Sequence, residues 1–576
     1  MTYQLQRILE FHDLYPEETN FDIDAVLKKY DRLALVRMCQ ILSFRYHNAR
    51  IPDPTTPFFS TIKKSDEMQL NSRLMKFLKA NHSDSVYYCT SKTALELLRH
   101  VFAIPIEEYH NESDVDIEYN LFRVLLKINE HIVSFTHAEK HEDLSTLMFL
   151  LGYTMNDIYN ENIDIAVRIQ LIHYSHLSTF LKTNQEGQKV MARFLQRLGI
   201  NDMCEYATTI MSLIGLCILR KNNQDYEGCH ILDLDKLGDT SGLINQKVLD
   251  YISIEISEIV PYNNITDNDR DNNVDYRIFR SKPIIKLSEN QYIICNKQLL
   301  AERLYSGMFF DLKNEYKGDW FHFYNTHFVE RALFHSQISQ CLSKHSTYHF
   351  PQLPVNEAEK PDQPDFYIRE NDNLILFECK SIKINGNIRE KKDIEEVMNM
   401  LKLKLYSSSQ NIDKNRKQKR KTETVGVTQL VKNIKLIDRD EFPWDDNIPD
   451  CVAYYPVIVL EDARLITPGL SGIINQWYKD LIDKELPGQM CYPIIVMSMD
   501  TLILYTPLFH QKGFFAIFDK FFEQSIRRDE SLINWEYNPV MEFNDWIKQE
   551  YKVSQQYLGK LFDQARSELG LNSQNK

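Results

Sequence analysis

The chain has 576 residues, which exceeds the size at which a single hydrophobic core stops growing, so the sequence predicts two to four domains. Its 43% hydrophobic and 26% charged residues are typical of a globular protein. The formal net charge of −14 gives no overall sign of a nucleic-acid-binding protein, although a local basic patch is compatible with it. The longest apolar stretch, Ile210–Leu219, has about half of the ~20 residues that a membrane-spanning helix needs, so we expect a buried helix there and no membrane contact.

The cysteines and the first residues indicate the compartment. The ten cysteines are dispersed singly, with no CxxC pair and no Cys–His set at the spacing of a zinc site. The N-terminus lacks the basic stretch and apolar core that form a signal peptide. We therefore expect reduced thiols, no structural zinc and a cytoplasmic protein.

Residues 1–260 are predicted to form a helical module. Ser91–Phe102 and Tyr119–Phe135 place apolar residues at helical spacing, and Ser91 is the expected N-cap of the first of these helices. This half of the sequence has no catalytic signature. Its expected role is to sense a signal, to form a homo-oligomer or to bind a partner subunit.

The second half is predicted to have mixed α/β structure. Residues 276–318 form a connector with a β-hairpin in Lys282–Asn296 and a helix after it. Residues 319–508 form a core in which helices alternate with short apolar runs, and residues 509–576 are again helical. The expected fold class is therefore multi-domain α + α/β, with a mostly helical N-terminal half and a helical C-terminus. The expected core strands are His349–Pro354, Asp365–Arg369, Leu374–Ile384, Tyr454–Leu460 and Tyr492–Met499.

The expected strand Leu374–Ile384 carries an unusual pair of charges. Its sequence, LILFECKSIKI, is apolar on both faces up to Glu378 and Lys380, which project from the same face roughly 6–7 Å apart because side chains alternate along a strand. Buried charges are costly unless they are paired, hydrogen-bonded or bound to a metal ion. A short turn at Glu370–Asn373 would bring the Asp365 carboxylate beside Glu378.

A metal ion would account for the convergence of these two carboxylates, which otherwise repel each other. Oxygen ligands with open water positions suit Mg²⁺ or Mn²⁺, so Asp365 and Glu378 are the predicted metal ligands. The ammonium group of Lys380 is then placed to orient, or to help deprotonate, a water that attacks a phosphodiester. The other interpretation is a strand that ends in solvent, where Glu378 and Lys380 form a weak surface pair.

The residues Pro364-Asp365, followed by Glu378-Cys379-Lys380, resemble the PD-(D/E)xK signature of restriction-endonuclease-like nucleases, over roughly residues 320–460. The resemblance implies a restriction-endonuclease-like α/β core with a mixed central sheet. It also implies that Asp365 and Glu378 bind a divalent metal ion and that Lys380 serves the hydrolytic step. Asp362 also follows a proline, but Asp365 directly precedes the apolar alternation and is the preferred match.

Two further positions match this family. Glu330, on the helix before the core, corresponds to an acidic residue that many members have, and an ordinary exposed helix glutamate is the alternative. Gln429, on the helix after the core strands, corresponds to a glutamine of many members. One variant of the family has tyrosine four residues later, where this chain has Asn433. The predicted catalytic residues are therefore Asp365, Glu378, Lys380, Glu330 and Gln429.

A basic tract lies in the predicted insertion 389–421. Between residues 360 and 440 there are 18 Lys and Arg against 13 Asp and Glu, in contrast to the acidic remainder. The tract indicates either a surface that contacts a phosphate backbone or a solvated loop. The expected phosphate contacts are Arg416, Lys417, Lys419, Arg420 and Lys421.

These features predict a divalent-metal-dependent endonuclease, with DNA a more probable substrate than RNA. Microbial nucleases that join such a core to a helical half often act in defence against phage or plasmids, so an antiviral effector is the expected role. The alternative is a non-catalytic scaffold that docks nucleic acid and binds protein partners through its helical half.

Overall fold

A computed structural model of the chain describes residues 8–45, 49–51, 63–81, 86–110, 116–132, 143–155, 163–217, 231–237, 242–259, 276–342, 364–408, 423–528 and 534–571. Helices make up most of these residues, together with mixed and antiparallel sheets, so the fold is compatible with the multi-domain α + α/β class. Within the same ranges, no helix combines the length and the apolar character needed to cross a membrane.

The first part of the chain is largely helical, as the apolar spacing predicts. Two predicted helices are present as Ser91–Ala103 and Ile117–Ile132. The N-cap of the first is Thr90, and the prediction of Ser91 was wrong, because the Thr90 hydroxyl accepts the Thr93 N–H while Thr93 bonds back to the Thr90 N–H. The other α-helices in this part are Phe11–Leu14, Ile23–Leu27, Arg32–Arg45, Lys64–Ala80, Leu144–Met155, Ile163–Thr183, Gln185–Leu198, Met203–Cys217 and Gln246–Tyr251.

Two small sheets accompany these helices. Their strands are β1 (Ala49–Ile51), β2 (Val86–Cys89), β3 (Ile231–Asp233), β4 (Ser253–Glu255), β5 (Ile284–Ser288) and β6 (Gln291–Ile294). β1 pairs with β2, and the other four strands form a sheet in the order β3–β6–β5–β4. β5 and β6 form the predicted connector hairpin, which is therefore confirmed. β3 pairs with β6 and β4 pairs with β5, so the sheet extends beyond the hairpin on both sides.

The strands of the second half are β7 (Phe366–Glu370), β8 (Asn373–Lys380), β9 (Ser407–Ser408), β10 (Glu423–Thr424), β11 (Ala453–Leu460), β12 (Met490–Cys491), β13 (Ile495–Ser498), β14 (Ile526–Arg528) and β15 (Trp535–Tyr537). A mixed sheet contains β7, β8, β11, β12 and β13. β8 is antiparallel to β7 on one side and parallel to β11 on the other, and β12 and β13 continue the sheet beyond β11 in parallel. β8 is therefore an inner strand, and it ends at Lys380 rather than continuing to Ile384. The predicted strand at residues 349–354 lies outside the described residues.

Helices cover both faces of β8, which explains why its sequence is apolar without alternation. On one face, Leu376 packs in a hydrophobic cluster with side chains of the helices Val427–Asp438 and Leu470–Glu485. On the other face, the ring of Phe377 lies 6.0 Å from that of Phe334. Any charge on the inner part of this strand is therefore removed from bulk water.

The helix before the core, on which Glu330 was predicted to lie, is present with a π-helical centre. It consists of Trp320–Phe323, Tyr324–Phe334 and His335–Cys341. The C-terminal segment is helical as predicted, except for the antiparallel pair β14–β15. The further helices of the second half are Arg277–Ser281, Lys297–Glu302, Met308–Lys313, Gly386–Lys391, Ile394–Leu401, Lys402–Tyr406 (π-helical), Val427–Asp438, Leu470–Glu485, Met499–Lys512, Phe514–Ser525, Phe543–Glu550 and Gln555–Glu568.

Three hydrophobic clusters organise the interior. One unites residues 9–132 with residues 254–299. A second joins the helices of residues 163–217 to one face of the mixed sheet and to the C-terminal helices. The third covers the other face of the sheet. The helices after residue 163 therefore share a core with the mixed sheet, although the sequence-based ranges assign them to the N-terminal module.

Candidate functional site

The β7–β8 hairpin places Asp365 beside the charged pair. The chain reverses at Asn371, whose positive φ of 52° is tolerated better by asparagine than by most residues. Asp365 directly precedes β7, and its N–H donates to the Phe377 carbonyl at 2.9 Å. In return, the Asp365 carboxylate accepts the Cys379 N–H at 2.7 Å. These two bonds fix the carboxylate against β8, between the two charged residues of that strand.

The ammonium group of Lys380 lies between the two carboxylates. Its Nζ donates to Glu378 Oε2 at 2.8 Å and lies 3.9 Å from Asp365 Oδ2. The Glu378 side chain is completely buried, whereas Lys380 and Asp365 retain 19% and 18% of their side-chain exposure. The three residues therefore form one cluster that solvent reaches from the Lys380 and Asp365 side, and the interpretation as an exposed surface pair was wrong.

Glu378 has unused acceptor capacity. Its Oε1 is buried and has no hydrogen-bond partner among the described residues. Burial raises the pKa of Glu378 well above its ordinary value, Lys380 opposes this shift, and the neighbouring Asp365 adds to it. The site is therefore unfavourable for the Glu378 carboxylate unless a further positive charge lies at Oε1.

Lys380 is held in its charged form. Burial alone would lower its pKa, but the carboxylates of Glu378, Asp365 and Glu330 outweigh burial and raise the pKa well above the ordinary value. An ammonium group with a raised pKa donates hydrogen bonds and stabilises negative charge, but it does not accept a proton near neutral pH. The raised pKa is compatible with the predicted role of orienting a water or phosphate oxygen, and both predicted roles of Lys380 stay predictions.

Glu330 lies on the π-helical segment Tyr324–Phe334, which packs against β8. It is close enough to raise the pKa values of Glu378 and Cys379 electrostatically. The structure therefore brings Glu330 to the same cluster as Asp365 and Lys380. Three acids around one ammonium group give the cluster a net negative charge when all of them are ionised.

Gln429 lies in the first turn of the helix Val427–Asp438, which packs on the β8 face that carries Glu378. Its carbonyl accepts a hydrogen bond from the Asn433 side-chain amide at 3.1 Å. Asn433 is completely buried, so an amide rather than a tyrosine ring fills this position. The helix on which Gln429 was predicted to lie is therefore present, while a catalytic role for Gln429 stays a prediction.

The donor groups of the cluster suit a hard divalent cation. Among the described residues, no group of three His, Cys, Asp or Glu side chains is arranged to hold a metal ion. Mg²⁺, however, is commonly bound through one or two carboxylates, with waters and substrate phosphate as its other ligands. The unpartnered Glu378 Oε1 and the partly exposed Asp365 carboxylate fit this mode of binding.

The predicted phosphate contacts cannot be compared with the structure. Arg416, Lys417, Lys419, Arg420 and Lys421 lie between residues 409 and 422, outside the described residues.

The sequence analysis missed a second buried carboxylate near the site. Glu461 directly follows β11, and its N–H donates to the Lys380 carbonyl at 3.0 Å. Lys383 Nζ donates to Glu461 Oε2 at 2.7 Å, and the Tyr305 hydroxyl donates to Oε1 at the same distance. Burial would raise the pKa of Glu461, but these partners outweigh it and lower the pKa. The signal in the sequence was the acidic pair Glu461-Asp462 immediately after an apolar strand.

Comparison of the chain with models of known protein families, with curated proteins and with solved structures gave no match. The functional interpretation therefore depends on the geometry of the cluster itself.

Proposed function

We propose that this protein is a divalent-metal-dependent nuclease that hydrolyses phosphodiester bonds at the cluster of Asp365, Glu378 and Lys380. The observation that carries the proposal is the position of the Lys380 ammonium group between two carboxylates, one of which has a buried oxygen without a partner. The order of the elements, with a hairpin of β7 and β8 followed by the parallel strand β11, agrees with a restriction-endonuclease-like core. DNA is the proposed substrate, and defence against phage or plasmids the proposed role.

Each side chain has a definite task in this reaction. Glu378 Oε1 and Asp365 would hold Mg²⁺ or Mn²⁺, which when bound neutralises phosphate charge and lowers the pKa of water. Lys380 donates a hydrogen bond to the attacking water or to a non-bridging phosphate oxygen, and it stabilises the charge that develops there. Water releases a proton to solvent as its oxygen attacks phosphorus in line, the opposite P–O bond breaks, and the leaving oxygen takes up a proton from solvent. Glu330 adds negative charge that favours the bound cation.

The test is a cleavage assay with the purified full-length protein on plasmid DNA, linear DNA and RNA, in Mg²⁺, in Mn²⁺ and in EDTA. We expect metal-dependent cleavage that is reduced by at least about a hundredfold in Lys380→Ala, since loss of one electrostatic stabiliser commonly costs that much. Lys560→Ala, which alters an exposed lysine on the C-terminal helix, is the matched control and should cleave as the wild type does. Equal cleavage by wild type and Lys380→Ala would contradict the assignment.

One observation favours the scaffold alternative. The Lys380 ammonium group lies within ion-pair distance of both carboxylates, so part of their charge is balanced without a metal ion, as it would be in a core kept only for binding. A scaffold would bind nucleic acid in EDTA and in Mg²⁺ alike, and it would not cleave any of the substrates in either condition. Metal-dependent cleavage lost in Lys380→Ala excludes this alternative.

A further inference from the structure

A large cavity lies beyond the end of β8. Its volume is about 1130 Å³, slightly above the usual range for small-molecule sites. Most of its wall residues lie in residues 277–314 of the connector, in residues 382–389 after β8 and in residues 462–465 after β11, and Phe321 and Lys404 are among the others. The cavity thus lies where the connector meets the carboxyl ends of two parallel strands, a common location for ligands in α/β sheets.

The walls are strongly basic although the chain is acidic. Nine lysines and arginines line the cavity against three acidic residues, whereas the whole chain has a formal net charge of −14. Internal ion pairs neutralise part of this charge, as between Arg464 and Asp462 at 2.6 Å. Four of the cations have no ion pair within the described residues, namely Arg277, Lys282, Lys313 and Lys404. Repulsion among such cations is relieved when an anion binds between them.

One buried cation on the wall has an unsatisfied donor. Arg303 is only 2% exposed, and its guanidinium group pairs with Asp311. Its Nε has no hydrogen-bond partner among the described residues. An unmade hydrogen bond of a buried charged group is costly.

Aromatic rings accompany the cations. Lys383 Nζ lies 5.3 Å from the centre of the Phe309 ring, and Lys404 Nζ lies 5.3 Å from that of Phe321. The neighbouring Phe310 is 55% exposed although it is a large apolar side chain. Phosphates pair with Lys and Arg, whereas bases stack on exposed aromatic rings. This combination suits a nucleotide better than it suits an inorganic anion.

The cavity is separate from the carboxylate cluster. Asp365, Glu378 and Lys380 do not contribute to its lining. The connection between the two is indirect, since Lys383 on the cavity wall binds Glu461, whose N–H bonds to the Lys380 carbonyl. Binding of a ligand here therefore requires neither the metal ion nor the hydrolytic reaction.

We propose that this cavity binds a nucleotide that carries at least two phosphate groups, as a site distinct from the proposed nuclease centre. Four cations of the lining have no ion pair within the described residues, so more than one phosphate group is required to balance them. Phe310 provides a face on which a base can stack. The cavity has room for a free nucleotide, and binding of a polymer strand instead is an outcome that the experiment distinguishes. The site does not depend on the nuclease assignment, so either proposal can fail without the other.

The experiment is isothermal titration of the full-length protein in EDTA with ribonucleoside triphosphates, cyclic dinucleotides, inorganic triphosphate, and single-stranded DNA and RNA oligonucleotides. We expect at least one free nucleotide to bind more tightly than inorganic triphosphate does. Lys313→Glu combined with Lys404→Glu should weaken that binding by about tenfold or more, which corresponds to about 1.4 kcal/mol. Phe310→Ala should remove the preference for a nucleotide over inorganic triphosphate.

Two controls make the outcome unambiguous. Lys560→Glu reverses an exposed lysine that does not line the cavity, so it should bind nucleotide as the wild type does. Lys380→Ala should also bind nucleotide as tightly as the wild type does, because Lys380 does not line the cavity. Unchanged melting temperature shows that the charge-reversal variants are folded. The proposal is overturned if no nucleotide binds at millimolar concentration, if the folded cavity variants bind as tightly as the wild type, or if only the oligonucleotides bind.

Discussion

Replacement of Glu378 by glutamine is expected to change how the stability of the protein depends on pH. Burial raises the pKa of Glu378 well above its ordinary value of 4.5, so above pH 4.5 the unfolded chain loses a proton that the folded chain retains. Stability that is present below pH 4.5 is then lost as the pH rises towards the raised pKa. The loss is about 1.4 kcal/mol for each pH unit between 4.5 and the raised pKa.

Glutamine has no such proton to retain, so Glu378→Gln should become progressively more stable than the wild type as the pH rises. The assay is urea denaturation of both proteins at several pH values from 5 to 8 in EDTA. Glu536→Gln, at an exposed position on β15, is the matched control and should follow the wild type at every pH. Parallel curves for wild type and Glu378→Gln would refute the reasoning, since they would mean that Glu378 titrates as it does in water.

Three further changes test other parts of the structure. Burial raises the pKa of Glu542 to about 8, so Glu542→Gln should gain stability relative to the wild type between pH 4.5 and 8 and show no further gain above it, measured by the same denaturation series. Gly426→Ala should lower the melting temperature clearly, because residue 426 has a φ of 52° and an added Cβ would lie 2.1 Å from the Leu405 carbonyl oxygen. Lys383→Met should cost about 3–5 kcal/mol in urea denaturation because it leaves the buried Glu461 without its ammonium partner, and Lys560→Met should cost almost nothing.

The local pattern of the sequence was sufficient to predict the strand that carries the site. The apolar run before Glu378 and Lys380 favoured a strand covered on both faces, and alternation placed the two charges on one side. The hairpin that brings Asp365 to them followed from the short polar turn. These features depend on neighbours in the sequence, so no knowledge of the packing was needed.

Other features depend on contacts between distant segments. Glu461 finds Lys383 and Tyr305 only because β11 lies parallel to β8 and the connector packs against both. The basic cavity is likewise assembled from segments that are distant in the sequence, so its charge could not be read from any one of them. The N-cap at Thr90 was missed for a different reason, since threonine and serine are both good caps and only the backbone geometry decides between them.

The most direct test of the central claim is the effect of divalent cations on thermal unfolding. A cation that binds only the folded protein raises the melting temperature. We therefore expect Mg²⁺ and Mn²⁺ to raise the melting temperature of the wild type and of Glu536→Gln, but not that of Glu378→Gln. If the wild type and Glu378→Gln respond equally, or if neither ion changes the melting temperature of the wild type, then Asp365 and Glu378 do not form a metal site.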